Sequence, residues 1–145
     1  AEAILKPVAE KLKEMKIDLL VGPAMGGILV AYELGRQLGI EAIFTERVDN
    51  IMALRRGFEV SEGMNIVICE DVVTTGKSSM EVKALLESMG AKVIAIASII
   101  DRTNEELELP LISSLRVEID TFDADDCPLC KQGTPVVKPG SRKMD

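Results

Sequence analysis

The sequence predicts an α/β fold, Rossmann-like, with a mostly parallel central sheet and helices on both faces. Two observations predict it. Short apolar runs recur between segments of helical periodicity, the pattern of buried parallel strands joined by crossover helices. Glycine and charge collect where those runs end, at Val21-Gly22-Pro23, Glu46-Arg47, Glu70-Asp71 and Asp101-Arg102. In open parallel sheets ligands bind outside the carboxyl ends of the strands, so these four ends are the candidate site.

Each element follows from local pattern. Ile4, Leu5, Val8, Leu12 and Met15 recur at helical spacing among Lys and Glu, predicting an amphipathic helix with Pro7 in its first turn. Ile17 to Val21 is an apolar run, read as a buried strand, and Gly22 to Gly27 as a turn into a second helix. That helix runs from Gly27 to Leu38 and stops at Gly39. Ala42 to Phe44 is a second strand, and Glu46 to Gly57 reads as a charged loop. Phe58 to Val60 and Asn65 to Cys69 flank Ser61-Glu62-Gly63, which predicts a hairpin. Asn65 to Cys69 is the most apolar run and is placed at the centre of the sheet. A helix from Lys77 to Met89 follows, stopped by Gly90, then a strand over Val93 to Ile100 and a last strand within Ile112 to Ile119. The tail from Asp123 onward is rich in Pro, Gly and Lys.

Composition narrows the function classes. A chain of 145 residues, 47% hydrophobic and 28% charged, fits one soluble domain with its own core. Trp is absent and aromatics are 3%, so that core is built from Ile, Val, Leu, Ala and Met. A net charge of -7 argues against wholesale nucleic-acid binding. No apolar run is long enough to span a bilayer, and the first residues read as a charged helix rather than a signal peptide, so a cytoplasmic location is expected. Histidine is absent, which leaves acid–base work to carboxylates, Lys, Tyr32 or the substrate. Three cysteines make no disulfide framework.

The stretch that carries chemistry is Glu70-Asp71-Val72-Val73-Thr74-Thr75-Gly76-Lys77-Ser78. Its Gly-Lys-Ser end suggests a nucleoside-triphosphate loop, but that loop needs glycine where Asp71 stands, and a carboxylate there would repel the phosphate. A different phosphate site fits. An apolar strand delivers a pair of acids, and a turn then enters a helix whose first amides lack partners. Those amides, with the hydroxyls of Thr74, Thr75 and Ser78, suit a monophosphate. The acids suit neutral hydroxyls beside it, or a metal. A sugar phosphate satisfies both.

This stretch resembles the ribose-phosphate signature of the type I phosphoribosyltransferases. The resemblance implies that Glu70 and Asp71 hold the ribose hydroxyls of phosphoribosyl pyrophosphate (PRPP), and that Val73, Thr74, Thr75, Gly76, Lys77 and Ser78 hold its 5-phosphate. Val21 to Gly27 is similar to the family's pyrophosphate loop, in which backbone amides hold the diphosphate; here that assigns Ala24, Met25, Gly26 and Gly27. Glu46-Arg47 with Met52 to Phe58 looks like the mobile loop of the orotate branch, which closes over the diphosphate, often that of a neighbouring subunit. Many members carry a catalytic Lys there. This chain has no Lys between Lys16 and Lys77, so Arg47, Arg55 and Arg56 would carry the charge, Arg55 and Arg56 as catalytic groups beside Glu70 and Asp71. Asp101-Arg102 resembles the strand end whose Arg binds the orotate carboxylate, with Thr74 also facing orotate. The tail from Asp126 to Lys131, with Lys138 to Arg142, resembles the C-terminal end of one bacterial and archaeal subset. The family's N-terminal segment, part of the hood over the base, is expected ahead of the first helix and has no counterpart in the sequence.

The resemblance therefore implies one phosphoribosyltransferase domain over 1–145, with 123–145 a C-terminal hood or tail. It implies orotate and PRPP as substrates, magnesium bound mainly through PRPP rather than a dedicated protein metal site, and a homodimer, with no nucleic-acid or membrane partner. A purine phosphoribosyltransferase, or a PRPP-binding regulatory protein without turnover, are the alternative readings. A purine pocket would be more apolar and aromatic, and a sensor would not need an orotate contact.

Plainer readings stand beside these. An acidic pair at a strand end, taken alone, is a solvated turn. Gly22 to Gly27 alone is an ordinary strand–helix turn, Arg55-Arg56 a solvated loop pair, and Arg102 a partner for Asp101 or Glu105. Cys127-Pro128-Leu129-Cys130 is half a zinc site; it reads as a structural turn, or as two ligands that a second copy would complete to four. Cys69 reads as core packing, and Met25, Met52, Met64 and Met80 need no special role.

Overall fold

The most apolar run of the sequence forms the middle of the sheet, and its side chains sort strictly by parity. Val67 and Cys69 pack on one face with helices α1 (Glu2–Leu12) and α2 (Gly26–Leu38). Ile66 and Ile68 pack on the other with α3 (Lys77–Ser88), against Val82 and Leu86. All four side chains are 0% exposed. Alternation on a strand buried from both sides needs no polar residue on either face, which is why the run reads as continuous hydrophobicity. Each such aliphatic side chain contributes about 1.5–3 kcal/mol by leaving water. The structure is a computed structural model describing residues 1–120 and 122–135.

The strands are β1 (Leu19–Pro23), β2 (Ala42–Val48), β3 (Ile51–Leu54), β4 (Asn65–Val73), β5 (Lys92–Asp101) and β6 (Leu111–Arg116), in the order β3-β2-β1-β4-β5-β6. All neighbouring pairs are parallel except β2 with β3. The α/β expectation and the central position of β4 therefore hold. Gly39 ends α2 at φ 69°, a left-handed cap that favours glycine. A short 3₁₀ turn (Ala124–Asp126) and α4 (Pro128–Lys131) follow the sheet. Among the described residues no helix is long and apolar enough to cross a membrane. The Lys138 to Arg142 part of the tail lies outside the described residues.

Four local expectations are corrected. The Glu46 to Gly57 segment is not a loop: β2 continues to Val48 and returns as β3 through Asp49 and Asn50, at φ 50° and 65°. Two successive left-handed residues make the tight turn whose twist matches antiparallel strands. The hairpin expected between Phe58 to Val60 and Asn65 to Cys69 does not form. Both edges of β4 are taken by β1 and β5, so Phe58 instead packs edge-on against Phe44, ring centroids 5.1 Å apart. The first strand begins at Leu19 and runs through Gly22-Pro23, because the Asp18 carboxylate and backbone already bind Asn65 at 2.8 and 2.9 Å. Pro7 lies inside α1, beyond its first turn; burial of Leu5, Val8, Ala9 and Leu12 outweighs the missing amide.

Candidate active site

The turn from β4 into α3 is a cup. Strand β4 runs past the acids to Val73, whose carbonyl accepts from the Arg102 amide at 2.8 Å. Gly76 then caps α3 at φ 68°, a left-handed conformation that a side chain would strain. As a cap it brings no side-chain acceptor to the first amides of the helix, where the macrodipole also favours an anion. The Lys77 amide meets only the limit of Thr75 Oγ1, at 3.5 Å. Glu70, Asp71, Val73, Thr74, Thr75, Gly76, Lys77 and Ser78, with Val72 and Ser79, line a cavity of about 240 Å³ here. Every residue of the motif is thus brought to one place.

Adjacent strand residues point to opposite faces, and this separates the acids. Glu70 turns toward α3, nearly buried, where it accepts from Ser79 Oγ at 3.3 Å. Asp71 turns toward α2 and stays exposed, one oxygen taking the Val72 amide at 2.8 Å. Its carboxylate lies against Gly26: a Cβ on that glycine would stand 2.1 Å from Oδ2. The β1–α2 loop is equally close-packed within itself. A Cβ on Gly27 would stand 2.4 Å from the Cys69 carbonyl oxygen, and one on Gly22 2.2 Å from that of Gly27. The Ala24 amide donates to the Thr45 carbonyl at 2.7 Å, the Ala24–Met25 peptide is cis, and the Met25 side chain is exposed. So the expected diphosphate loop does meet the acidic pair, through Asp71.

A second cavity, about 600 Å³, opens beside the cup. Thr74, Thr75, Met80, Arg102, Leu107 and Ile119 line it, with Asn104 and acids of the 105–108 segment. Arg102 does not pair with Asp101 or Glu105. Asp101 is occupied by the Thr103 amide and hydroxyl, both at 2.8 Å, with Arg116 at 3.7 Å. The Arg102 Nε is buried without a partner among the described residues. An orphaned guanidinium nitrogen costs about 1–3 kcal/mol unless something meets it. Arg116 and Thr103, which hold this turn, left no local signal in the sequence; the β5–β6 register that pairs Asp101 with Arg116 exists only in the sheet.

The loop arginines are held elsewhere. Arg56 forks onto Glu46 at 3.0 and 3.1 Å, and Arg55 lies 3.6 Å from the same carboxylate. Those bonds from Arg56 hold the Glu46 carboxyl below the usual carboxylate range. Arg47 donates to the Asn50 carbonyl at 2.8 Å and to Glu81 of α3. None of the three lines either cavity. Among the described residues no cluster of three or more His, Cys, Asp or Glu is placed to hold a metal. Cys69 is core, as expected: burial pushes its thiol far above the usual range.

The family described as "Phosphoribosyl transferase domain" matches residues 1–118. Orotate phosphoribosyltransferase of Caldanaerobacter subterraneus subsp. tengcongensis is 48% identical, over 99% of this chain and 77% of that protein. Among solved structures, purine phosphoribosyltransferase of Pyrococcus horikoshii is similar at TM-score 0.66 and 24% identity, covering 83% of this chain and 91% of that one. Adenine phosphoribosyltransferase of Thermoanaerobacter pseudethanolicus is similar at TM-score 0.68 and 21% identity, covering 79% of each; at these identities the likeness speaks for the fold alone. With an acidic pair leading into a glycine-capped turn, a glycine loop packed against it, and a family match over most of its length, the chain belongs to the phosphoribosyltransferases and has their type I fold.

Proposed function

We propose that the protein is an orotate phosphoribosyltransferase of pyrimidine nucleotide biosynthesis. It transfers ribose 5-phosphate from PRPP to orotate, giving orotidine 5-phosphate and diphosphate. One observation carries the choice of base: the buried Nε of Arg102, without a partner among the described residues, in the cavity it shares with Thr74. A carboxylate is the natural partner for a guanidinium, and orotate brings one. The name of the Caldanaerobacter relative supports the same choice.

In this reading the cup of residues 73–78 takes the 5-phosphate and the Ala24 to Gly27 backbone takes the diphosphate. Asp71 faces that loop and takes the ribose hydroxyls beside it, while Glu70 serves from the α3 side. The bond from ribose C1 to diphosphate breaks as the bond from C1 to the base nitrogen forms, through a transition state of oxocarbenium character. Orotate arrives as an anion, so a chain without histidine needs no imidazole base. Arg47, Arg55 and Arg56 stabilise the departing charge once they leave Glu81 and Glu46; an arginine cannot donate the proton itself. Magnesium keeps several waters and takes few protein ligands, so it would be carried mainly by PRPP, with Asp71 beside it. Bound there, magnesium would spread the diphosphate charge. The same reading makes residues 1–145 one domain, with 123–145 a hood or tail, and the protein a cytoplasmic homodimer.

The test is loss of orotate absorbance with PRPP and magnesium, run on the chain and on Asp71→Asn. The chain should turn over. The variant should lose about 10- to 150-fold in kcat/KM, the worth of a charge-assisted hydrogen bond. Undiminished turnover in Asp71→Asn would remove Asp71 from the ribose. No turnover in the chain, with adenine or another purine consumed instead, would overturn the choice of base.

A further inference from the structure

The Cys127 to Cys130 pair serves neither the cup nor the base cavity, and its geometry has its own chemistry. Cys127 caps the short helix α4 from an extended conformation, and its Sγ accepts from the Cys130 amide at 3.5 Å. Pro128 follows at the first helical position, where its fixed φ sets the turn. Cys127 at the N-cap and Cys130 at the third helical position stand one turn apart, the spacing that brings two side chains together on one side of a helix start. Cys130 is exposed and Cys127 half-buried, so a small reagent can reach both. The thiols are unequal. Hydrogen bonds from the Cys130 amide and then from its thiol hold Cys127 below the usual range, whereas Cys130, as the donor, is raised. The third thiol, Cys69, is sealed in the core and takes no part.

A metal does not fit this donor set as well. Structural zinc takes four nitrogen or sulfur ligands and one copy of the chain supplies two, since the sequence has no histidine and its third cysteine is in the core, so a zinc site would need the pair of a second copy. The neighbouring carboxylate of Asp126 is already paired with Lys131.

We propose that Cys127 and Cys130 form a reversible dithiol–disulfide couple that exchanges with low-molecular-weight disulfides. The Cys127 thiolate attacks one sulfur of the small disulfide, and that disulfide's other half leaves as a thiolate. Cys130, giving up its proton, then attacks Cys127 Sγ in the mixed disulfide and expels the second small thiol. The protein loses two hydrogens as two thiols become one disulfide, and the small disulfide is reduced to two thiols. The inference stands apart from the transferase reading, since neither cysteine lines either cavity.

The probe is oxidised glutathione on the native chain, read by intact mass and by iodoacetamide labelling under native conditions. Unoxidised protein should take two labels, and oxidised protein none, with loss of two hydrogens and no retained glutathione. Cys130→Ser should instead trap a stable glutathione adduct at Cys127, forming several-fold faster than the adduct at Cys130 in Cys127→Ser. A wild-type protein that accumulates mixed disulfides without closing the ring would overturn the proposal. So would equal rates in the two variants, or equimolar zinc that blocks labelling at both thiols, which would make the pair a metal site.

Discussion

Alanine at Gly26 and at Gly27 should separate function from stability across one peptide bond. At Gly27 the new Cβ meets backbone: the Cys69 carbonyl oxygen at 2.4 Å, with Pro23 Cδ at 2.8 Å. Neither can turn away, so α2 or β4 must shift, at about 1–3 kcal/mol for overpacking. At Gly26 every close atom belongs to the Asp71 carboxyl, with Oδ2 at 2.1 Å and Cγ at 2.3 Å. Asp71 is exposed and can rotate, at about 0.5–1.5 kcal/mol. Alanine's helix propensity over glycine, about 1 kcal/mol in a helix interior and less at the first residue of α2, offsets part of that. Gly26→Ala should therefore melt within roughly 1 kcal/mol of wild type yet hold Asp71 away from the ribose. The carboxylate's hydrogen bonds, about 1.5–3 kcal/mol, translate into a loss of about 10- to 150-fold in kcat/KM for PRPP. Thermal melts paired with initial rates at varied PRPP measure both quantities. The reasoning is refuted if Gly26→Ala keeps its kcat/KM, or if it loses as much stability as Gly27→Ala.

Arg102→Gln should raise KM for orotate about a hundredfold, from loss of a charged contact worth 2–5 kcal/mol when truncated, while KM for PRPP stays near wild type. The unliganded Tm should not fall, because the substitution removes a buried nitrogen that has no partner among the described residues; parallel rises in both KM values would count against the base assignment. Ile68→Ala, in a fully buried position of β4, should cost about 2–5 kcal/mol and lower Tm by about 6–15 °C in a calorimetric scan. Glu33 accepts from Arg36 at 2.9 and 3.1 Å and from Gln37 at 2.8 Å, and the Arg36 bonds lower its carboxyl from an ordinary value of 4.5. The unfolded chain then binds more protons in that window, so the stabilisation is complete above pH 4.5 and is lost as pH falls through the lower folded value. Melts of Glu33→Gln against pH should show a shallower acid limb than wild type; identical limbs would remove Glu33 from the effect.

The chemistry of the cup was legible because it is local. Glu70 to Ser78 are consecutive, and one strand, one turn and one helix start suffice to gather them. Gly39 and Gly76 mark the end of α2 and the start of α3, because a left-handed residue is required at each place. The edge hairpin was less legible. Glu46 to Gly57 carries the charge of a loop, yet an edge strand tolerates charge on its open side, and Asp49-Asn50 was the turn signal within it. The expected hairpin at 58–69 failed for a reason no window of residues contains, since both edges of β4 were already taken.

The sequence by itself determined the fold class, the alternation of strands and helices, and the gathering of Glu70 to Ser78 around one turn, since each depends on periodicity or on neighbours along the chain. Tertiary structure alone decided the rest. Strand parity divided Glu70 from Asp71 and set the latter against Gly26. Sheet register gave Asp101 to Thr103 and Arg116, leaving the Arg102 Nε without a partner among the described residues, in the cavity it shares with Thr74. The hairpin fold turned Arg47, Arg55 and Arg56 onto Glu81 and Glu46. Each of these outcomes is a competition between partners distant in sequence, and only packing settles which partner is near enough to win.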